Sequence, residues 1–337
     1  MTKSEHVRHF GFLVFPGFPM ACLTSAIEPL RAANEITGAR GFRWTVLAEE
    51  RAPVASSAEV MFEPGATLSE ARGLDALFLL SGPTAHFAHP RASIAALRLL
   101  ARQGVRLGGV SGGVFPLARA GLLADVPVAV HWCYDAAFRA EFPDLDARSE
   151  VMRIERGRVT VAGATAVFDL MLSLIEEDMG PEVMTEVACW FQHPVVRGPD
   201  VIQRQPGWRA DRTQDTLPVA IARAIGAMGT HVADPLTIAD LADRVGLSAR
   251  QFDRTFRAAT GQAPLRYYRM VRMKKARQLV QFSDAPLSEV AEAVGYATTG
   301  PLARHYAAEF GLSPQEDRAA RNLFREGGTR VRHRAEG

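Results

Sequence analysis

Between residues 237 and 314 the chain writes one pattern twice: a short helix, a glycine turn, a polar cap and a second helix. The first copy occupies 238–248 and continues through Phe252 and Phe256 to Gly261. The second occupies 288–298 and continues through Leu302 and Tyr306 to Gly311. No other feature constrains the fold as strongly, because each copy specifies the same helix–turn–helix unit at nearly the same internal spacing. A small residue, Ala242 or Ala291, takes the inner face of the first helix. The glycine after it, Gly246 or Gly295, supplies the backbone freedom that a tight turn needs. Ser248 and Gln251 have the spacing of a capping box, so a new helix starts there. Phe252 and Phe256, four apart, give that helix one apolar stripe and leave Arg250, Asp253, Arg254 and Arg257 on its polar face.

Charge divides the chain in the same place. From Leu217 onward 18 Lys and Arg stand against 12 Asp and Glu, whereas the preceding 216 residues hold 21 against 25. The basic part is the part with the repeated units, as phosphate contact requires. The candidate DNA-contacting residues are Ser248, Arg250, Arg254 and Arg257 in the first unit, and Thr298, Thr299 and Arg304 in the second. Arg250 lies nearest its helix N-terminus, where base contacts concentrate. The equivalent positions of the second unit are Gly300, Arg304 and Ala307. Pro301 falls in the first helical turn, where its missing N–H is tolerated, although it takes one donor from the Thr298 cap. The first unit is therefore expected to supply most direct base readout, and the second phosphate and shape contacts.

The first two hundred residues alternate short apolar runs with helical patterns, the signature of an α/β domain with a mostly parallel sheet. Phe12–Phe15, Trp44–Leu47, Ala76–Leu80 and Leu107–Val110 read as strands; 20–34 and 92–103 read as helices. Phe10 to Leu23 after a basic start could pass for a signal peptide, but Gly11, Pro16, Gly17 and Pro19 interrupt it, and a buried first strand fits better. Gly109-Val110-Ser111-Gly112-Gly113 then leads straight into a helix. A small polar residue between glycines at a strand-to-helix turn is the arrangement of a nucleophile elbow, and taken alone it permits a serine hydrolase. Short Gly/Ser strings at such turns are also ordinary turns. Cys22, Cys133 and Cys189 form no CxxC pair, which fits a reducing cytoplasm and gives no metal framework.

Two resemblances attach to these residues. Phe252-x-Arg254-x-Phe256, Gly261-x-x-Pro264, Tyr267, Arg272, Ala276-Arg277-x-Leu279, Gly295-Tyr296 and Phe310-Gly311-x-Ser313-Pro314 resemble the signature of AraC-type transcription regulators. The resemblance implies a seven-helix module whose two units, joined by a long helix over about 264–281, enter successive major grooves roughly 34 Å apart on double-stranded DNA. Phe15-Pro16-Gly17-Phe18, Glu28-Pro29-Leu30-Arg31-x-x-Asn34, Ser111-Gly112, Ala118-x-Ala120-Gly121-Leu122-Leu123, His131-Trp132 and Gly163 with Asp169-Leu170 resemble the PfpI-like branch of the class I glutamine amidotransferase superfamily, in the form fused to AraC-type modules in GlxA-type regulators. That resemblance implies a flavodoxin-like α/β fold for a domain at 7–193. A stretch rich in Arg, Gln, Pro and Gly reads as a linker at 194–217 before an all-α double helix–turn–helix domain at 218–324, and the tail beyond Asn322, with Gly327-Gly328, reads as frayed.

In enzymes of that superfamily the elbow residue is a cysteine, assisted by an acidic side chain and often a His. Here Ser111 takes the elbow and Cys22 the position of the acid. His131 is left as a base without an orienting acid, so no catalytic residues are assigned. The degenerate site reads as a sensor, with Glu28, Gly82, Ser111, Gly112, His131 and Trp132 as ligand-binding candidates and the elbow amides as anion donors. Residues 18–34, 131–134 and 196–204 look most like regulators of arginine, carnitine or glycine betaine catabolism. An amine or amino-acid-like effector follows, its cation on Trp132 or Tyr134 and near Glu28. Against this, Glu28 has the spacing to pair with Arg31 on its own helix. The resemblance further implies a cytoplasmic homodimer acting as an activator on DNA, with RNA polymerase a candidate partner and with no cofactor, metal or membrane. The competing reading is an amidase or related hydrolase that uses Ser111 and is localised by a helical tail.

Overall fold

The computed structural model describes residues 7–193, 195–204 and 217–325. They fall into two compact units, one extending through Gln203 and the other spanning Arg204–Arg321. In the first unit the elements are β1 (Arg8–Val14), α1 (Met20–Thr37), β2 (Phe42–Ala48), β3 (Val54–Ala55), β4 (Met61–Phe62), β5 (Ala66–Thr67), β6 (Ala76–Ser81), α2 (Pro90–Arg102), β7 (Arg106–Ser111), α3 (Val114–Arg119), β8 (Val128–Ala129), α4 (Asp135–Glu141), β9 (Ala147–Arg148), β10 (Met152–Glu155), β11 (Arg158–Val161), α5 (Ala164–Met179) and α6 (Pro181–Trp190). A seven-stranded sheet runs β10-β11-β7-β6-β1-β2-β5. Every pairing in it is parallel except β10 with β11.

A parallel sheet is covered on both faces, so its central strands are nearly continuous apolar runs. On one face Phe10, Phe12, Phe78, Leu80 and Val110 pack against Leu23, Ala26 and Leu30 of α1 and Val167, Leu170 and Met171 of α5. The alternate residues face the other way, and Leu77, Leu79 and Leu107 are equally buried there. The elements read from the sequence are present, most of them with wider bounds because apolar periodicity stops before backbone pairing does, although β1 ends before Phe15 and α2 before Gln103. The antiparallel edge strand β10 and the two-residue strands gave no such signal.

Residues 195–204, whose Arg, Gln, Pro and Gly content reads as the beginning of a linker, are hydrogen-bonded into this unit. Val151 N–H donates to Val201 O at 2.7 Å and Gln203 N–H to Ser149 O at 2.8 Å, and Glu150 bridges Ile202 in antiparallel fashion. A short strand added at an edge buries little, so it leaves no hydrophobic period to detect. Pro194 and residues 205–216 of the expected linker lie outside the described residues, as does the tail from 326.

The second unit holds seven helices among the described residues: α7 (Val219–Thr230), α8 (Ile238–Arg244), α9 (Ala249–Thr260), α10 (Pro264–Phe282), α11 (Leu287–Ala293), α12 (Thr299–Phe310) and α13 (Pro314–Arg325). Ile221, Ala224 and Met228 of α7 pack with Leu241, Ala242, Phe252, Phe256 and Tyr267. The two inter-helix turns use left-handed glycines, Gly246 at φ 71° and Gly295 at φ 72°. At Gly295 a side chain would also strike backbone: an added Cβ would stand 2.8 Å from Val232 O.

Candidate functional site

Helix α9 is the better built of the two helices that follow the glycine turns. Ser248 Oγ accepts the Gln251 N–H at 3.3 Å, and Gln251 Oε1 accepts the Ser248 N–H at 3.1 Å. Two of the N–H groups that every helix start leaves unpaired are thereby satisfied. The preceding helix α8 has its own box, with Thr237 and Asp240 as the reciprocal pair; its Thr-x-x-Asp spacing was present in the sequence. Arg250 and Arg254 are exposed and have no ion-pair partner among the described residues, whereas Arg257 Nε donates to Asp253 at 2.8 Å. An exposed pair of that kind contributes about 0.3–0.5 kcal/mol and exchanges readily for a phosphate.

Helix α12 is equipped differently. Thr298 is the N-cap residue but makes no capping bond, because the residue three positions on, Pro301, has no N–H to donate. Thr299 is half-buried and Arg304 is exposed, and Arg304 is the only Lys or Arg on the helix. What fixes α12 comes from behind it. Buried Asp317 accepts from Tyr306 Oη at 2.7 Å, Arg277 Nε at 2.7 Å and Gln281 Nε2 at 2.8 Å. Burial would raise its pKa, but those hydrogen bonds hold the carboxyl below the usual range. Arg272 donates from Nε to Val294 O at 2.8 Å and from Nη2 to Gly295 O at 2.6 Å, with its guanidinium 4.2 Å over the Tyr296 ring. The long helix α10 thus grips the turn of the second unit through the C-terminal carbonyls of α11. Neither Asp317 nor Gln281 was legible as a positioning residue, since a buried polar contact across some 36 positions has no local pattern.

In the first unit Ser111 ends β7 with φ 55°, a left-handed backbone that costs a residue with a Cβ about 1–2 kcal/mol. The glycines around it are required for approach. An added Cβ on Gly112 would stand 2.4 Å from Ser81 O, and one on Gly113 1.8 Å from Leu79 O. The start of α3 therefore lies against the end of β6, and Ser81 is in register with Ser111. This is the strand-to-helix geometry of the elbow. Arg119 of α3 donates to Pro83 O at 3.1 Å and Ala85 O at 2.6 Å, which fixes the loop after Gly82. Ser81 Oγ is fully buried and has no hydrogen-bond partner among the described residues; no local pattern singles it out.

The other candidates divide into two groups. His131 comes to the carboxyl end of β11, which is paired with β7: its ring would lie 3.4 Å from a Cβ on Gly163. His131 Nδ1 stands 2.9 Å from Cys133 Sγ and accepts the Cys133 N–H at 3.3 Å, and burial lowers its pKa, so the ring is neutral at pH 7. Trp132 and Tyr134 bring rings to within 5.6 and 5.4 Å of it. Trp132 N–H donates to Gln203 Oε1 at 2.9 Å. Glu28, by contrast, accepts from Arg31 Nε at 3.0 Å on the surface of α1. Cys22 is a core residue whose thiol burial pushes up to about 12, so it cannot act as the missing acid. Asn34, also in the amidotransferase-like pattern, is structural: its Oδ1 accepts the Gly41 and Phe42 N–H groups at 3.0 and 2.9 Å.

A helix-turn-helix domain model matches residues 241–320. The HTH-type transcriptional regulator CdhR of Pseudomonas aeruginosa is 36% identical over 311 residues, 92% of this chain and 91% of that protein. The HTH-type transcriptional regulator GlxA of Rhizobium meliloti is 33% identical over 93% of this chain and 96% of its own. The chain belongs to the AraC-type transcriptional regulators. The chain of this regulator also resembles a solved ThiJ/PfpI family protein from Pseudomonas syringae, 21% identical and covering 74% of this chain and 91% of that one, with a TM-score of 0.48. Among its described residues no helix is long and apolar enough to cross a membrane.

Proposed function

We propose that this regulator reads a bipartite DNA site with α9 and α12, and that a small metabolite at the elbow of its first unit controls it. The observation that carries the control is Ser81. A fully buried hydroxyl without a partner costs about 1–3 kcal/mol, and this one ends the strand beside the strained Ser111. A polar ligand group held by Ser81, Ser111 and the backbone at Gly82 and Gly112 offsets both costs. The aromatic faces of Trp132 and Tyr134 favour a ligand with a cationic head and a carboxylate. Glu28 contributes less, because Arg31 already occupies it.

The hydrolase reading is weaker. It needs a base with an orienting acid, whereas His131 is engaged with Cys133 and Cys22 holds a neutral thiol. We read the protein as a homodimeric activator that works with RNA polymerase, in which α9 supplies base readout and α12 phosphate contacts. The test is recovery of genomic fragments by the purified full-length protein at near-physiological salt, with and without L-arginine, L-carnitine and glycine betaine, in parallel with Ser111→Ala. A few enriched fragments, with a response to one of the amines that Ser111→Ala alters, are expected. Uniform recovery, or a hydrolysis activity abolished by Ser111→Ala, would overturn the reading.

A further inference from the structure

We infer that residues 198–204 form a releasable strap that carries the state of the His131–Trp132 turn into the DNA-binding unit, with Gln203 as its catch. The inference rests on the metabolite-control reading above. Gln203 makes three side-chain hydrogen bonds: Nε2 donates to Val130 O at 2.7 Å and Glu150 O at 2.9 Å, and Oε1 accepts the Trp132 N–H at 2.9 Å. One amide thus spans the residue before His131 and the residue after it. The second unit begins at Arg204, so this side chain sits where the chain passes from one unit to the other and is bonded to the turn that offers the candidate ligand its aromatic faces.

The two ends of this segment are held with unequal strength. Upstream, fully buried Asp169 accepts from His193 Nε2 at 2.7 Å, Arg197 Nε at 2.8 Å and the Arg197 N–H at 3.3 Å. Charge-assisted bonds to a buried carboxylate are strong and costly to break. Downstream, Val201 and Ile202 are exposed, at 40% and 60%. Little apolar burial therefore holds the strap; besides Gln203 it is held by edge backbone bonds and a 3.7 Å ion pair between exposed Asp200 and Arg153, of a kind that contributes little. Segments with few buried apolar contacts open first. If the turn moves and Gln203 lets go, the anchor at Arg197 stays and seven residues join the connector. At 3.3–3.6 Å per residue that adds about 23–25 Å of reach, which changes the effective concentration at which the tethered unit meets its site.

The test uses the full chain with Gln203→Ala, Gln203→Glu and His131→Ala, read by hydrogen exchange and by a reporter fused to a recovered fragment. Gln203→Glu is the conservative variant in shape, but it sets a carboxylate against two carbonyl oxygens, so it should release the strap at least as well as Ala. Expected are at least tenfold faster exchange in both 128–134 and 198–204 for either Gln203 variant, and faster exchange in 198–204 for His131→Ala, since coupling is reciprocal. The Gln203 variants should shift reporter output at least threefold while recovering the same fragments. Exchange that changes in one segment without the other overturns the coupling, and unchanged reporter output overturns the transmission. If the wild-type protein recovers no specific fragments, the proposed function fails, and the exchange result still decides whether strap and turn are linked.

Discussion

Replacing Asp317 by Ala removes the acceptor on which Tyr306, Arg277 and Gln281 converge, and the structure sets the size of the effect. Tyr306 and Gln281 are buried, so each loses a hydrogen bond that water cannot readily replace, worth about 1–3 kcal/mol. The Arg277 side chain is 37% exposed and recovers water, so its share is small. A loss of about 3 kcal/mol follows, or roughly a hundredfold in the opening equilibrium of the elements it joins. Native-state hydrogen exchange on the full chain reads this directly in α12, and it avoids treating a two-unit protein as a single two-state system. Tyr306→Phe should cost about 1 kcal/mol. The double variant should cost less than the sum, because both single changes remove the same Tyr306–Asp317 hydrogen bond. The carboxyl is held below its usual range, so its stabilisation is complete at neutral pH and is lost as pH falls below about 4 and through the depressed pKa. Exchange in α12 that rises less than about threefold, or additive single-variant costs, would refute the claim that this network seats the second recognition helix.

Three further outcomes are expected. Arg250→Ala should relax discrimination at one base position by about 1–3 kcal/mol, whereas Arg304→Ala should weaken all sequences alike and reduce the salt slope by about one, measured by binding to base-substituted sites across a salt series. Gly113→Ala, whose Cβ would stand 1.8 Å from Leu79 O, should not yield folded protein, while Ser111→Gly should raise the melting temperature of the first unit by relieving about 1 kcal/mol of backbone strain. Because burial lowers the His131 pKa, the turn it anchors is stabilised above about pH 6.5 and loses that stability as pH falls through the folded value; His131→Gln should flatten this dependence in exchange of 128–134.

Elements and the paired units were legible in the sequence because their signals are local: a glycine after a short amphipathic helix, Ser248 three residues before Gln251, apolar runs the length of a strand. Pro301 even indicated that the Thr298 cap would lack its partner, as it does. The roles of Asp317, Asp169, Ser81 and Gln203 were not legible. Each acts through a partner tens of positions away or, for Ser81, through having none.

What the sequence determined by itself is therefore the two-unit plan, the polar face of α9 and the elbow, since hydrophobic period, capping chemistry and glycine placement are properties of neighbours along the chain. Only the tertiary structure decided that Cys22 is core, that Asp317 gathers Tyr306, Arg277 and Gln281, and that residues 198–204 are fastened to the sensor. Whether a polar group is free, paired or buried depends on which distant backbone folds against it, and one-dimensional spacing does not encode that.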